Sequence, residues 1–235
     1  MVVAGGATFI PGATQTLAAL TINDGGNASV AAGANKVLTA SSLSIVGSGE
    51  LDLADNDLVV SVGGTDPFAS VQGWIISGYS GGLWNGPGIN SSAAAGQFAV
   101  THPTALGYAR SADNTSVIVR YTAAVDADLS GVVDTVDFAA LAGNFGGSAQ
   151  PWGSGDFNYD GFVDTEDFNL LAANFGTSVP AASVGEASVL SRTDAVSSAP
   201  APAVASPAGL FGTEPIALGG WKEDVLGTEI DGGSA

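Results

Sequence analysis

"TLAALTINDGGNASVAAGANKVL", at residues 16–38, gives the first indication of the architecture, because "TASSLSIVGSGELDLADNDLVV" at residues 39–60 repeats it with a period of 23 residues. The alignment pairs like residues: Thr16 with Thr39, Leu20 with Leu43, Ile22 with Ile45, and Val30 with Leu53. Apolar residues alternate within each copy and glycine-rich turns separate the runs, which is typical of short β-strands. We expect two strands per copy and a mainly β protein with a small α module.

Two architectures fit residues 16–62: solenoid-like coils or a β-sandwich. A solenoid coil buries its inward face only by stacking on the next coil, and a regular short period is its signature. Fewer than three copies are visible, so an antiparallel sandwich remains the alternative. Residues 63–107 are rich in glycine and aromatic residues and predict irregular loops that close one end. "TSVIVRYT" at residues 115–122 predicts the last strand of a β-rich domain spanning residues 1–122.

Composition narrows the class of protein. Five basic residues against 23 acidic ones give a net charge of −18, which would repel nucleic acid and an anionic membrane surface. The chain has no cysteine, which excludes disulfides and thiolate chemistry. No window reaches the roughly 18 apolar residues of a membrane span, so no membrane insertion is expected. An acidic surface poor in lysine favours a secreted bacterial protein, extracellular or on the cell surface.

An acidic segment is duplicated in residues 123–177. "VDADLSGVVDTVDFAALAGNFGG" at 125–147 and "GDFNYDGFVDTEDFNLLAANFGT" at 155–177 agree at 12 of 23 positions. In each copy, oxygen-bearing side chains fall at loop positions 1, 3, 5, 9 and 12, with glycine at position 6. This spacing wraps a twelve-residue, EF-hand-like loop around a hard cation that needs about six to eight oxygens. The pattern predicts two Ca²⁺ sites.

The predicted ligands follow from the loop positions. Position 7 contributes its backbone carbonyl, and position 9 acts through a water. The first site comprises Asp126, Asp128, Ser130, Val132, Asp134 and Asp137, with the sharp turn at Gly131. The second site comprises Asp156, Asn158, Asp160, Phe162, Asp164 and Asp167, with the turn at Gly161.

A short apolar helix is predicted after each loop. Apolar residues recur at i, i+3, i+4 and i+7 before a glycine, which indicates one apolar face on each helix, and the two faces can pack together. The first face comprises Phe138, Leu141, Ala142 and Phe145, and the second comprises Phe168, Leu171, Ala172 and Phe175. Val133 and Val163 occupy position 8, where the paired loops are expected to exchange backbone hydrogen bonds.

At these residues the sequence resembles type I dockerin, a duplicated calcium-loop domain that docks onto a cohesin partner. The resemblance covers residues 125–177 and implies a pair of calcium-binding loop–helix units. Two departures stand out. Ser130 replaces the usual acid at position 5, which implies a weaker first site. The partner-reading positions also diverge: family members often carry Ser or Thr at positions 10 and 11 and a basic residue at position 18, whereas this chain has Thr135-Val136 with Gly143, and Thr165-Glu166 with Ala173.

The C-terminal part divides into an Ala/Ser/Pro-rich linker or extended arm, residues 178–208, and a tail, residues 209–235, that regains apolar residues. The tail is expected to dock on another surface, such as a neighbouring subunit of a homo-oligomer. We see no set of nucleophile, base and stabiliser that would make an enzyme. The lone His102 has no cysteine to pair with.

The function indicated is a non-catalytic, calcium-stabilised structural protein that assembles with copies of itself, as a fibre or surface layer, or with a cohesin-like domain. The alternative is a carbohydrate-binding accessory protein attached through its dockerin to a cohesin scaffold. Trp74, Tyr79 and Trp84 lie in a glycine-rich segment and could stack on a glycan. Packing of these rings in the protein core is the competing interpretation.

Overall fold

The computed structural model describes residues 1–33, 36–96 and 103–179. Within these residues the fold is mainly β, with three sheets and a small helical part. The first nine strands are short and form three successive turns of the chain: β1 Val2–Val3, β2 Thr8–Phe9 and β3 Gln15–Leu17; β4 Leu20–Ile22, β5 Asn27–Ser29 and β6 Val37–Ala40; β7 Leu43–Ile45, β8 Glu50–Asp52 and β9 Asp57–Ser61.

Corresponding strands of successive turns pair in parallel. With three later strands, β10 Gly88–Asn90, β11 Thr104–Arg110 and β12 Ser116–Ala123, the sheets have the orders β1-β4-β7, β10-β8-β5-β2 and β11-β12-β9-β6-β3. The register pairs Thr16 with Thr39, Leu20 with Leu43 and Ile22 with Ile45, which are the pairs that the sequence repeat aligned. The prediction of two strands per copy was wrong, because each turn has three. The pairing among β1 to β9 is also not that of an antiparallel sandwich.

The first turn was missed because its spacing differs from that of the visible repeat. Val2 pairs with Thr21, an offset of 19 residues, whereas Thr21 pairs with Ser44, an offset of 23. The four-residue difference hides the first copy from a search at one fixed period. Inward-facing side chains of the turns, such as Leu20, Ile22 and Leu51, are buried. The apolar residues of the alternating pattern thus point into the core and the polar residues between them point outward, as expected of strands.

The glycine- and aromatic-rich segment contains a helix rather than only irregular loops. Helix α1, Phe68–Tyr79, buries Val71 and Ile75 on one face, and the backbone of Phe68 donates to the Asp66 carboxylate at its start. Glycines within the segment obscured this helical spacing. Gly78 is required by packing, because a Cβ there would overlap the backbone carbonyl of Ile89 in the adjacent strand.

The remaining elements close one end of the β turns and lead into the acidic loops. They are a 3-10 helix Ser80–Gly82, β10 Gly88–Asn90, α2 Ser92–Ala95, β11 Thr104–Arg110, β12 Ser116–Ala123, α3 Thr135–Asn144, a 3-10 helix Trp152–Ser154 and α4 Thr165–Asn174. Strands β11 and β12 are antiparallel, and β12 is also antiparallel to β9. The sheet that contains β9, the last strand of the third turn, therefore extends directly to β12, the strand preceding the first acidic loop.

One hydrophobic core joins the β turns to the acidic segment. It includes Leu106 and Val119 from the sheet together with Leu129, Trp152 and Tyr159 from the segment that carries the loops. The described residues all belong to one compact unit. None of the described helices has the length and apolar character that a bilayer crossing requires. His102, nearly all of the predicted arm and the whole predicted tail lie outside the described residues.

Candidate metal centre

The two acidic loops have the same backbone conformation. Residues 126–137 begin shortly after β12 and run into the first turn of α3, and residues 156–167 begin shortly after the second 3-10 helix and run into the first turn of α4. The sixth position is left-handed in both, with φ of 86° at Gly131 and 86° at Gly161. Glycine adopts this conformation without a steric penalty, so the predicted turning role of both glycines agrees with their geometry.

The first loop is folded around two buried carboxylates. Asp126, at position 1, accepts hydrogen bonds from the backbone of Ser130 at 3.0 Å and of Gly131 at 2.8 Å. Asp137, at position 12, accepts from the backbone of Ala127 at 2.7 Å and of Asp134 at 2.8 Å. The loop therefore directs its amide groups at its own acids and holds the carboxylates on its inner side.

The second loop repeats this arrangement and leaves one oxygen without a partner. Asp156 Oδ2 accepts from the Gly161 backbone at 3.0 Å, and Asp167 accepts from the Phe157 backbone at 2.8 Å. Asp156 Oδ1 is buried and has no hydrogen-bond partner among the residues that the structure describes. Because an unpaired buried carboxylate oxygen is costly, this atom suits a bound cation.

The intermediate loop positions differ between the copies. In the first loop, one carboxylate oxygen from each of Asp126, Asp128 and Asp137 lies within 4.8 Å of the others. Ser130 Oγ instead donates to the Val132 carbonyl at 3.1 Å, so two predicted ligands of the first site bond to each other. In the second loop, Asn158 Oδ1 accepts from the Asp160 backbone, and the Asp160 carboxylate accepts from the backbone of Phe162 at 2.8 Å.

The position-9 acids are the N-caps of the following helices. Asp134 accepts from the Val136 backbone at 2.7 Å, and Asp164 accepts from the Glu166 backbone at 2.7 Å. Each forms a capping box with the position-12 aspartate of its loop. A capping box satisfies otherwise unpaired amides at the helix start, so these acids stabilise α3 and α4 as well as facing the loop.

Burial makes the ionised form of these acids unfavourable. Loss of hydration raises the pKa of Asp126 to about 7 and that of Asp137 to about 6, and repulsion from neighbouring aspartates adds to both increases. Loss of hydration likewise raises the pKa of Asp156 to about 6 and also raises the pKa of Asp167. Within residues 1–33, 36–96 and 103–179, no lysine or arginine forms an ion pair with either loop.

The two loop–helix units pair crosswise. The Val133 backbone donates to Thr177 and accepts from Gly176, whereas the Val163 backbone donates to Gly147 and accepts from Gly146. The predicted direct pairing of Val133 with Val163 was therefore wrong. Position 8 of each loop pairs with the chain that leaves the helix of the other unit, so the units remain mutually dependent.

The predicted packing of the two apolar helix faces was also wrong. Leu141 and Leu171 are buried, but they pack in the common core. Ala142, Ala172 and the four phenylalanines of the predicted faces are exposed: Phe138 by 43%, Phe145 by 53%, Phe168 by 43% and Phe175 by 52%. Each unit therefore exposes a pair of phenylalanines to solvent, one on the helix and one at its C-cap, and the two aromatic pairs occupy equivalent positions.

Residues outside the first loop that hydrogen-bond to it were missed in the sequence, among them Thr122 and Trp152. Thr122 donates its hydroxyl to Asp126, and Trp152 Nε1 donates to the Asp126 backbone carbonyl at 2.7 Å. Neither belongs to a loop position of the calcium pattern. A signal for the second was present, because "QPWGSG" places one tryptophan between two units whose lengths and compositions are otherwise duplicated.

The aromatic residues considered for a glycan site do not form an open platform. Trp84 is only 5% exposed, and its ring makes edge contacts with Tyr79 at 5.2 Å and with Tyr159 at 5.8 Å between ring centroids. Trp74 is half-buried against the core.

No protein-family model matches the chain, and neither a curated protein nor a solved structure shows significant similarity to it.

Proposed function

We propose that the protein is a non-catalytic, extracellular, calcium-stabilised assembly protein. Two Ca²⁺ ions would be held by the acidic loops, and the helices after the loops would present a docking surface. The β turns would form a short β-solenoid with three strands per coil, for which the parallel register of successive turns is the support.

The observation that carries the calcium proposal is the convergence of Asp126, Asp128 and Asp137 within one loop whose geometry occurs twice. Two carboxylates about 4 Å apart repel by about 4 kcal/mol at an effective dielectric constant of 20. A divalent cation removes this repulsion and offsets the lost hydration of Asp126 and Asp137. Carboxylate and carbonyl oxygens are hard ligands, which favours Ca²⁺ over softer transition metals.

The exposed aromatic pairs support a docking role. Phe138 on α3 and Phe145 directly after it, with Phe168 on α4 and Phe175 directly after it, are four exposed large apolar side chains at equivalent positions of the two units. Exposed apolar side chains in such number are typical of protein–protein contacts. The partner proposed is a neighbouring copy of the chain; a cohesin-like domain is the second partner class. The buried Trp84 gives the carbohydrate-binding alternative less support.

The test uses the full chain, stripped of metal and titrated with CaCl₂ by isothermal calorimetry and then by sedimentation velocity. Two sites and a rise in mass with calcium are expected. Phe138→Ser combined with Phe168→Ser should retain the calcium heat and lose the rise in mass. The matched control is Leu83→Ser, which changes another exposed apolar residue outside the loop–helix units.

Absence of calcium heat in the full chain would overturn the calcium proposal. Calcium binding by a chain that stays monomeric would overturn self-assembly and direct the search to a cohesin-like partner. If Leu83→Ser abolished association as completely as the double phenylalanine variant, the aromatic pairs would not be the docking surface.

A further inference from the structure

The fourth residue of each acidic loop is anchored in the β region. Leu129 and Tyr159 both have left-handed backbones, with φ of 59° and 61°, and both are buried. The Leu129 carbonyl accepts a hydrogen bond from Arg120 at 2.6 Å, and the Tyr159 hydroxyl donates to the Leu106 carbonyl at 3.1 Å. A left-handed conformation costs energy for a residue with a Cβ, so its recurrence at position 4 indicates that these contacts maintain it.

Trp152 contacts both loops and connects them to strand β11 of the sheet. Its indole donates to the Asp126 carbonyl, and its backbone amide donates to the Tyr108 hydroxyl at 3.4 Å. Its ring centroid is 5.3 Å from that of Phe157 and 5.2 Å from that of Tyr159, which are positions 2 and 4 of the second loop. Trp152, whose side chain is fully buried, therefore contacts β11, the first loop and the second loop.

The sheet is shaped to receive this side chain. A Cβ added at Gly107 in β11 would come within 2.7 Å of Trp152 Nε1 and would also overlap Leu129 Cδ2. Glycine at this position allows the tryptophan and the fourth residue of the first loop to approach the strand. The requirement is for close approach, since Gly107 has no positive φ.

A buried ion pair extends the connection to the β turns. Arg120 on β12 pairs with Asp57 at 3.3 Å, and the Tyr121 backbone donates to the other oxygen of Asp57 at 3.2 Å. Asp57 is the first residue of β9, in the third turn. A continuous set of polar contacts therefore runs from β9 through Arg120 to the carbonyl of loop position 4.

We infer that strands β11 and β12 position the calcium loops, with Trp152 as the central positioning residue, and that calcium binding in turn stabilises the β region. This inference rests on the calcium binding proposed above. The coupling follows from linkage: if docking on the sheet orders the loops for calcium, calcium must favour the docked and folded sheet by the same factor. In this arrangement the loop–helix units are part of the β fold rather than a separately attached module.

The first measurement uses the unaltered full chain. Hydrogen exchange is followed in peptides from 104–123, which cover β11 and β12, with and without CaCl₂, while calorimetry on the same sample records calcium binding. Peptides from residues 2–17, in the first turn, provide an internal comparison. Calcium should slow exchange in 104–123 at least tenfold, and by a smaller factor in the first turn.

The second measurement separates positioning from packing. Trp152→Phe retains an aromatic ring but removes the indole N–H that binds the Asp126 carbonyl, and should raise the calcium dissociation constant of the first site roughly fivefold. Trp74→Phe is the matched control, since it makes the same change in α1, and should leave the calcium dissociation constants unchanged. Circular dichroism at the assay temperature verifies that both variants are folded.

The outcomes distinguish the two proposals. Calcium heat without slower exchange in 104–123 would overturn the coupling and leave calcium binding intact. Calcium heat that is the same for Trp152→Phe and the unaltered chain would overturn the positioning role of the indole. A full chain that gives no calcium heat overturns the proposed function itself. If Trp152→Phe fails to fold, the exchange measurement on the unaltered chain still decides the coupling.

Discussion

The two acidic loops have nearly the same backbone but different oxygens. The φ angles at the fourth position differ by only 2°, those at the sixth are both 86°, and those at the ninth are both −141°. Each loop carries four aspartates, yet the third and fifth positions exchange character: Asp128 and Ser130 in the first, Asn158 and Asp160 in the second. Loop shape is therefore determined by the glycine turn, the capping box and the buried fourth residue, whereas the predicted ligands differ between two loops of that shape.

The difference also appears in the electrostatics. Burial raises the pKa of Asp126 to about 7, whereas it raises the pKa of Asp156, the equivalent residue of the second loop, to about 6. The nearby Asp137 contributes to the first increase, and Asp167 and Asp160 contribute to the second. Without a cation, the first loop should therefore resist ionisation more strongly than the second.

The largest effect expected from this comparison is a pH dependence of the metal-free chain. A carboxyl whose pKa is raised by folding binds its proton more tightly in the folded state. Its stabilising contribution is complete below pH 3.8 and is lost as the pH rises through about 6 to 7. The free energy of unfolding, measured by urea titration in metal-free buffer, should fall by on the order of 3 kcal/mol between pH 4 and pH 7.5.

Calcium provides the control for this measurement. With the loops saturated, their carboxylates are held ionised, and the fall in stability should shrink to the part due to Asp57, whose pKa is raised by burial to about 6. Carbon-detected NMR titration of the metal-free chain should give Asp126 a higher midpoint than Asp156. Equal titration midpoints for the two residues would contradict the proposed electrostatic difference between the loops.

The next largest effect is expected when the position-12 acid is removed from one loop at a time, which measures each calcium site separately. Asp137→Asn and Asp167→Asn should each reduce calorimetric stoichiometry from two sites to one. With calcium at about 100 times the dissociation constant, each should lower the free energy of unfolding by about 2.7 kcal/mol. Because position 5 is the neutral Ser130 in the first loop and Asp160 in the second, the first site should be the weaker, and the calcium that remains bound to Asp137→Asn should be the more tightly held.

Glu166→Gln is the control for these two variants. It removes one negative charge beside the second loop without changing a predicted ligand and should leave both sites intact. If Asp137→Asn and Asp167→Asn leave sites of equal affinity, the substitutions at positions 3 and 5 compensate for each other. If either variant retains two sites, position 12 is not a ligand of that loop.

The strands of the second and third turns could be predicted from the sequence, but the number per turn could not. The 23-residue period is the pairing register of Leu20 with Leu43 and of Ile22 with Ile45, so the repeat carries real spatial information. The third strand of each turn escaped notice because the connection before it varies in length: seven residues separate β5 from β6, whereas four separate β8 from β9. Helix α1 escaped notice because Gly73 and Gly78 resemble turn residues until their packing is known.

For the acidic loops, too, some features could be predicted from the sequence and others could not. Their glycine turns and helix starts follow local rules, and these were predictable from residues such as Gly131 and Asp134. The exposure of Phe138 and Phe168 was not predictable, since an apolar face at helical spacing normally indicates burial. The core contacts of Leu129, Tyr159 and Trp152 also depend on strands distant in sequence, and periodicity within a loop contains no information about them.

The smallest effect expected tests whether the oxygen set alone accounts for the difference between the loops. Ser130→Asp gives the first loop the acid that the second has at position 5, and Asp160→Ser makes the reciprocal change. Ser130→Asp should tighten calcium binding at the first site about tenfold, or 1.4 kcal/mol, and Asp160→Ser should weaken the second by a similar factor.

Ser130→Asp should also lower the stability of the metal-free chain, because a further carboxylate joins Asp126 and Asp128 while the hydroxyl bonds of Ser130 to Val132 are lost. Calorimetry and urea titration on the same samples measure the two opposing changes. Opposite signs with and without calcium are expected if the loop backbone stays fixed and only its charge changes. If both measurements move in the same direction, the substitution has altered the loop's shape, and the two loops differ in more than their ligands.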